Sequence, residues 1–593
     1  MKFIENNIFK LADIKFNGNI TYKEADGLYV KYDGTNAEIG YGSKAQAARA
    51  LFQLAVAVRE GKKSLNISQK AHFDTCGVMI NAAGAMPTVE ACKDYIVNLA
   101  AMGMNMLMLY CESNYKIENY RYFGYKCNPY TTQELNEIDA FARSMGVEMI
   151  PCIQTYGHLA GYLYWDEAAP FRNSTWSVMT GNEKAYEFIE EEIKAMRKAF
   201  GSKRIHVGMD EVSDLAFGNY YKENGGSESR FDIFNKHLKR VVEICEKYDF
   251  EPMIWSDMYF SLSGKHRYDF DELVEVPQEA VDKMSDAGLV FWDYYHDYES
   301  FYDINIKKHL SFGKTAWFAG GVWDFDGFAP NMAYTLKTMN PALSACLKNG
   351  LKNVFTTTWG GGETNYMETL FMLPVFSEHC YLGNECTNDD VIKMSCNLRN
   401  LTPEFINAVN DMHLGYDGWA SATKRIVYCD ALMNLTHYIF DFKKATELYK
   451  NTLETLKGIE LKGEYNILNK KYLECLARIC LIKSEILLNV QNEYKAGNKE
   501  YLTELKDVKL PKLVVLYDEF ISLKAKLYLS TTRRHHLDAI ITDLYAAKGK
   551  VEFAINTVSE YLSGETQTIY ELELETYEDD MLLYQLPGKY MKV

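Results

Sequence analysis

Between Gly77 and Leu382 the chain alternates short, nearly continuous apolar runs with longer amphipathic stretches. The apolar runs are GVMIN (77–81), NMLMLY (105–110), EMIPCIQ (148–154), RIHVGMD (204–210), EPMIWSD (251–257), LVFWDYY (289–295), KTAWFAGG (314–321) and NVFTTTWG (353–360). Between them lie segments with 3.6-residue periodicity, among them VEACKDYIVNLAAMG, TQELNEIDAFARSMG, EKAYEFIEEEIKAMRKAF and FDIFNKHLKRVVEICEKYD. Apolar strands of this kind belong in a parallel sheet covered by helices. Eight strand–helix units in roughly 300 residues predict a (β/α)8 TIM barrel, an α/β fold. An open doubly wound sheet usually needs fewer units and often a glycine-rich phosphate turn. GVMINAAGAM lacks the G-x-G-x-x-G spacing of that turn.

The flanks follow other patterns. Residues 1–70 read as a small α/β domain: TYKEADGLYVKYDG and AEIGYG suggest strands around turns, SKAQAARALFQLAVAVREG an amphipathic helix, and SLNIS a returning strand. The barrel occupies 71–385. Residues 386–593 carry helical periodicity almost throughout, without a convincing repeat, and predict an α-helical C-terminal region. That region either docks on the barrel or builds a homodimer contact, alternatives the sequence leaves open.

Barrels of this type carry their working residues at the C-terminal ends of the strands. Those positions hold Asn81, Glu112, His158, the adjacent pair Asp210–Glu211, Trp255, Trp292, Tyr294, Tyr295, Trp323, Trp359 and Glu363. Each has a plain structural use when taken alone. Trp255 and Trp292 serve as barrel packing, Glu112 as a helix cap, His158 as a loop anchor, and Asp210 and Glu211 as helix-start acids. Taken as one rim, they describe aromatic walls with a few carboxylates, a pocket for an apolar-faced, hydroxyl-edged ligand such as a sugar. Neighbouring side chains on a strand point to opposite faces. The two acids are therefore expected on opposite sides of a strand end, serving two different targets.

Composition narrows the partners. A formal charge of −17 argues against binding a phosphate backbone. The N-terminus has no uninterrupted apolar segment of the signal-peptide kind, and no stretch approaches transmembrane length. The 13 cysteines are scattered and include no C-x-x-C, which favours free thiols in a reducing compartment over disulfides or zinc. The expected location is cytoplasmic, without membrane or nucleic-acid partners. His206, Asp210 and Glu211 suggest a metal set less well, since no H-E-x-x-H accompanies them; His206 is expected to pack inside the barrel. Arg533, Arg534, His535 and His536 read as solvated or packed side chains rather than a metal or anion site.

HVGMDE, at the end of the fourth barrel strand, resembles the H-x-G-x-D-E signature of family 20 glycoside hydrolases, the β-N-acetylhexosaminidases, and most of all their intracellular bacterial branch. MLYCESNYKIENYRYFGYKCNPYT, EMIPCIQTYGHLAGYL, VFWDYY, FAGGVWDFDGFAPN and TTTWGGGE support it over most of residues 70–400. The resemblance implies an exo-acting enzyme that releases terminal GlcNAc or GalNAc from oligosaccharides, without metal or organic cofactor. It implies a retaining, substrate-assisted mechanism: Glu211 protonates the departing oxygen and Asp210 holds the substrate's 2-acetamido group, whose carbonyl oxygen attacks C1. A close ionised Asp210 is expected to raise the pKa of Glu211. Tyr294 or Tyr295 would donate to the acetamido oxygen, Trp255, Trp292, Trp323 and Trp359 would wall the sugar, and Glu363 would bind ring hydroxyls. GVMINAAGAM lacks the arginine that many members place after the first strand, leaving that role to Asn81, Glu112 or Arg121. Two other readings stay open: a retaining β-glycosidase with a protein carboxylate nucleophile, for which Glu363 could serve, and a non-catalytic sugar-binding barrel.

Overall fold

The computed structural model describes residues 1–264, 273–325, 327–413, 422–434 and 441–575. It divides into two compact units. The first comprises Met1–Val322, Thr335–Trp359 and Leu370–Arg399; the second comprises Trp323–Tyr334, Gly360–Thr369 and Asn400–Val593.

The first unit opens with helix α1 (Lys2–Leu11), followed by strands β1 (Ile20–Glu24), β2 (Leu28–Tyr32) and β3 (Ala37–Tyr41), helix α2 (Lys44–Arg59) and strand β4 (Leu65–Gln69). The strands form one sheet in the order β1-β3-β2-β4. Alternation of buried and exposed residues along β2 matches a sheet with one covered face. Helix α2 is alanine-rich because it is buried on several sides, and Arg49 at its centre is fully buried. The Arg49 guanidinium donates to both carboxylate oxygens of Glu378 at 2.8 and 2.9 Å and to the Met102 carbonyl at 2.9 Å, and it lies over the Tyr381 ring. A bidentate pair of this kind joins the N-terminal sheet layer to the barrel that follows it.

Eight parallel strands close into that barrel: β5 (Thr75–Asn81), β6 (Met106–Tyr110), β7 (Glu148–Cys152), β8 (Arg204–His206), β9 (Glu251–Trp255), β10 (Gly288–Trp292), β11 (Ala316–Gly321) and β12 (Asn353–Thr358), with β12 pairing to β5. The predicted (β/α)8 architecture is what the chain adopts. The strands are apolar throughout because both faces are covered: all five residues of β6 are buried. The helices start and stop where local chemistry dictates. Thr131 and Glu134 form a reciprocal capping box before the helix Thr132–Met145, and Gly146 ends it in a left-handed conformation.

The pattern overextends the fourth strand. RIHVGMD predicts seven residues, but β8 is only Arg204–His206. Beyond it Gly208 (φ 70°), Met209 (φ 75°) and Glu211 (φ 48°) adopt left-handed backbone, which no strand contains. A Cβ at Gly208 would lie 2.1 Å from Gln154 Oε1, so this turn also requires glycine for closeness. The apolar residues that imitate a strand continue through the turn because its floor is buried.

The second unit is helical, as its periodicity predicts. Its longest helices are Phe442–Gly458, Glu464–Lys495, Leu510–Leu529 and Leu537–Ser563. Inside it, buried Lys483 donates to the carbonyls of Val427 and Cys429 at 2.9 and 2.6 Å, satisfying the open end of the helix Ala422–Tyr428. The Tyr472 hydroxyl donates to the Phe328 carbonyl at 3.1 Å. Arg534 pairs with Asp538 on an exposed helix start, and the His535 and His536 rings meet edge to face. Among the described residues no cluster of His, Cys, Asp and Glu could hold a metal, and no helix is long and apolar enough to cross a membrane.

Candidate active site

The turn after β8 separates the two adjacent acids. Asp210 is turned inward and its side chain is 12% exposed, whereas the Glu211 side chain is 42% exposed. The expectation that strand alternation splits the pair is corrected here: the strand has already ended, and the left-handed residues of the turn accomplish the separation. Strained backbone of this kind costs on the order of 1–3 kcal/mol and persists only where its surroundings over-determine it.

The surroundings are specific. Gln154, just past β7, donates through Nε2 to Asp210 Oδ1 at 2.8 Å and accepts the Met209 N–H at 3.3 Å. His158, itself left-handed (φ 56°), places Nε2 3.2 Å from Asp210 Oδ2 and 3.7 Å from Glu211 Oε2. The Tyr110 hydroxyl at the end of β6 accepts from Gln154 at 3.0 Å and donates to Glu112 Oε1 at 3.2 Å. Glu112, Tyr110, Gln154, Asp210 and His158 therefore form one continuous polar chain across the barrel mouth. Glu211 is held from the other side: its backbone N–H donates to Asp257 Oδ2 at 3.0 Å.

Burial and neighbouring charges shift these groups in different directions. Burial opposes ionisation of Asp210, but the neighbouring His158 charge and the Gln154 amide outweigh it and hold its pKa below the ordinary value. Burial likewise opposes charge on His158, yet Asp210, Glu112 and Glu211 together raise it to about 9. Burial raises Glu112, with His158 opposing. Asp257 is pushed well above the usual carboxylate range by burial and by the Asp210 charge. His206 packs fully buried against the Trp255 ring, and burial lowers its pKa to about 3.

The aromatic candidates fall into two groups. Trp255, 1% exposed, sits between His206 and Trp359, and Trp359 meets Tyr110 edge to face at 5.1 Å. Asn81 donates to the Trp359 carbonyl at 3.3 Å and accepts the Gly84 N–H, tying the ends of β12 and β5. Beyond β10, Tyr294 stacks on Trp292 at 5.6 Å and touches Tyr295 at 4.8 Å. Fully buried Asp293 caps the Tyr295 and His296 N–H groups and thereby sets this turn. Tyr294 is buried and Tyr295 partly open. Gly321 gives Tyr294 its room, since a Cβ there would come within 2.7 Å of the ring.

Trp323 and Glu363 belong to the second unit. Trp323 packs on Phe325 and Tyr334, and Glu363 Oε1 lies 3.4 Å from Lys424 Nζ. Arg121 lies over the Tyr122 ring, with its backbone N–H on Glu167.

The sequence and the fold have counterparts elsewhere. The profile described as "Glycosyl hydrolase family 20, catalytic domain" matches residues 76–279, and that described as "Glycoside Hydrolase 20C C-terminal domain" matches residues 407–582. The chain belongs to glycoside hydrolase family 20. Beta-hexosaminidase A of Caenorhabditis elegans is 23% identical over 228 residues, covering 33% of this chain and 40% of that protein. Hexosaminidase D of Bos taurus is 24% identical over 228 residues, covering 37% of this chain and 62% of that protein. The match thus spans less than two thirds of these curated relatives. The crystal structure of a beta-N-acetylhexosaminidase shares the fold, with a TM-score of 0.51 at 13% identity over 65% of this chain and 92% of the other.

Within this family 20 barrel the structure brings Asp210, Glu211, His158 and Glu112 together as one polar group, and Asn81, Trp255 and Trp359 as another. Sequence reasoning passed over Gln154, Tyr110, Trp176 and the anchoring role of Asp257. All but Trp176 sit at strand ends, where the same rule that found the others applies. Gln154 and Tyr110 carry no charge to mark them, and Trp176 lies in a long loop, where its ring packs 4.6 Å from His158. A cavity of about 380 Å3 opens beside Glu211, bounded by Trp176, Ser213, Arg230, Asp257 and Trp292.

Proposed function

We propose that the protein is an exo-β-N-acetylhexosaminidase that releases terminal GlcNAc or GalNAc from oligosaccharides by a retaining, substrate-assisted route. One observation carries this reading: two adjacent carboxyls in unlike settings, Asp210 buried and charge-paired, Glu211 open to a cavity.

Asp210, ionised and oriented by Gln154, accepts the acetamido N–H and turns that group so its carbonyl oxygen faces C1. The carbonyl oxygen attacks C1 while Glu211 gives its proton to the glycosidic oxygen and the C1–oxygen bond breaks. Asp210 then balances the positive oxazolinium ring. Water, deprotonated by Glu211, reopens the ring at C1 with retained configuration and returns the acid to its starting state. An intramolecular nucleophile supplies effective molarities of about 10⁵ M or more, and a positioned acid contributes on the order of 10²–10⁴-fold. Tyr294 is the better placed of the two tyrosines to receive the acetamido oxygen, because it is buried against Trp292. No disulfide joins any of the thirteen cysteines, which supports a reducing, cytoplasmic location.

Hydrolysis of p-nitrophenyl β-GlcNAc and β-GalNAc tests the activity; folded protein that turns over neither overturns it. A GlcNAc-derived thiazoline should inhibit. Covalent trapping by a 2-fluoro glycoside would instead assign a protein nucleophile.

A further inference from the structure

The cavity beside Glu211 shares only Trp292 with the proposed donor-sugar walls. Its lining includes Glu211 but not Asp210. With Asp210 on the acetamido group and Glu211 on the departing oxygen, this is the side on which the leaving group sits. At about 380 Å3 the cavity falls in the range of clefts that hold small ligands, about 300–1,000 Å3. The half-buried Trp176 offers a ring face, and Ser213 and Ser261 offer hydroxyls.

Its charge is unusual for a chain of net charge −17. Arg230 is the one cation among the described lining residues. No ion pair to it exists among the described residues, and its guanidinium lies over the Phe217 ring at 6.0 Å. Two carboxyls share the lining, but burial and the Asp210 charge disfavour ionisation of Asp257, and in the proposed reaction Glu211 binds substrate carrying its proton. Arg230 thus gives the cavity a positive charge as the substrate binds, before Glu211 releases its proton.

We infer that this cavity is a leaving-group site for a sugar bearing an anionic group, held by Arg230 with the ring laid on Trp176. A guanidinium fork matches the two oxygens of a carboxylate, so a uronic acid is the expected class. The inference rests on the proposed hexosaminidase activity.

The test compares kcat/KM for β-GlcNAc-(1→4)-glucuronate with that for its neutral methyl ester, and for β-GlcNAc-(1→4)-glucose 6-sulfate, with the sulfate on the leaving glucose, with that for its unsulfated parent. Wild-type protein should favour glucuronate over the ester about five- to tenfold, less at high salt. In R230Q that ratio should fall to about one, whereas R240Q, whose guanidinium pairs with Glu183 on another face, should keep it. No preference for either anion, or a preference that survives R230Q, overturns the inference. A preference for sulfate alone overturns the uronic-acid class. A non-hydrolysable thio-linked GlcNAc–glucuronate, titrated calorimetrically, separates the two readings. Charge-dependent binding without any turnover would sink the hexosaminidase reading and retain the anion site; turnover without charge discrimination would do the reverse.

Discussion

His158 Nε2 lies 3.2 Å from Asp210 Oδ2 and 3.7 Å from Glu211 Oε2, so one imidazole touches both members of the acid pair. It neutralises the buried carboxylate while leaving the second carboxyl facing the cavity. Much of what can be tested about this site follows from that contact.

The pair gains stability in a defined pH window. His158 has a folded pKa of about 9 against an ordinary 6.5, so its contribution is full below pH 6.5 and is lost as pH rises through 9. Asp210, held below its ordinary value, contributes above the usual carboxylate range and loses it on acidification. The alkaline loss amounts to about 3 kcal/mol at most. Urea midpoints between pH 6 and 10 should fall for wild type and stay nearly level for His158→Gln. Parallel curves would show that the imidazole carries no charge there.

Glu211→Gln removes the proposed proton donor without changing shape. Natural oligosaccharides should slow by on the order of 10²–10⁴-fold. Aryl glycosides with good leaving groups, which need little protonation, should slow far less. Equal losses in kcat/KM on both substrate types would remove Glu211 from the role of acid.

Asp210→Asn keeps the volume but not the charge proposed to balance the oxazolinium. A loss in kcat of about 10²–10³-fold is expected, together with weaker thiazoline inhibition. Unchanged inhibition would mean that Asp210 does not face the acetamido group.

Gly321→Ala sets a methyl group where the Tyr294 ring now lies, at 2.7 Å. Overpacking of this kind costs about 1–3 kcal/mol. The ring must move, so turnover of N-acetylated substrates should fall about tenfold or more while the far-UV circular dichroism is kept. Full activity in the folded variant would separate Tyr294 from the acetamido pocket.

The barrel was legible because its eight strands are apolar on both faces and its helices are not, a contrast that survives without any alignment. The strand-end rule then found Asp210, Glu211, His158 and Glu112. It misjudged how the acids part company, because a left-handed residue at Glu211 leaves no trace in hydrophobic periodicity. Gln154 and Tyr110 were passed over for a related reason: neutral groups shape the site by orienting charges, and residue type alone does not announce that. The membership of Trp323 and Glu363 in the helical unit is set by contacts more than a hundred residues away, such as Lys524 donating to the Glu363 carbonyl; local sequence carries no such information.

Arg49 and Glu378 bear on how this protein can be dissected. Their fully buried bidentate contact crosses 329 residues of chain, linking a helix of the N-terminal layer to the helix Pro374–Leu382. Removing one partner of such a pair strands the other charge at a cost of about 3–5 kcal/mol. A fragment trimmed to the eight strands and their helices would retain an orphaned carboxylate and the apolar surface that α2 covers. A barrel fragment that keeps this pair intact therefore includes α2, and the N-terminal layer shares a core with the helices that wrap the barrel.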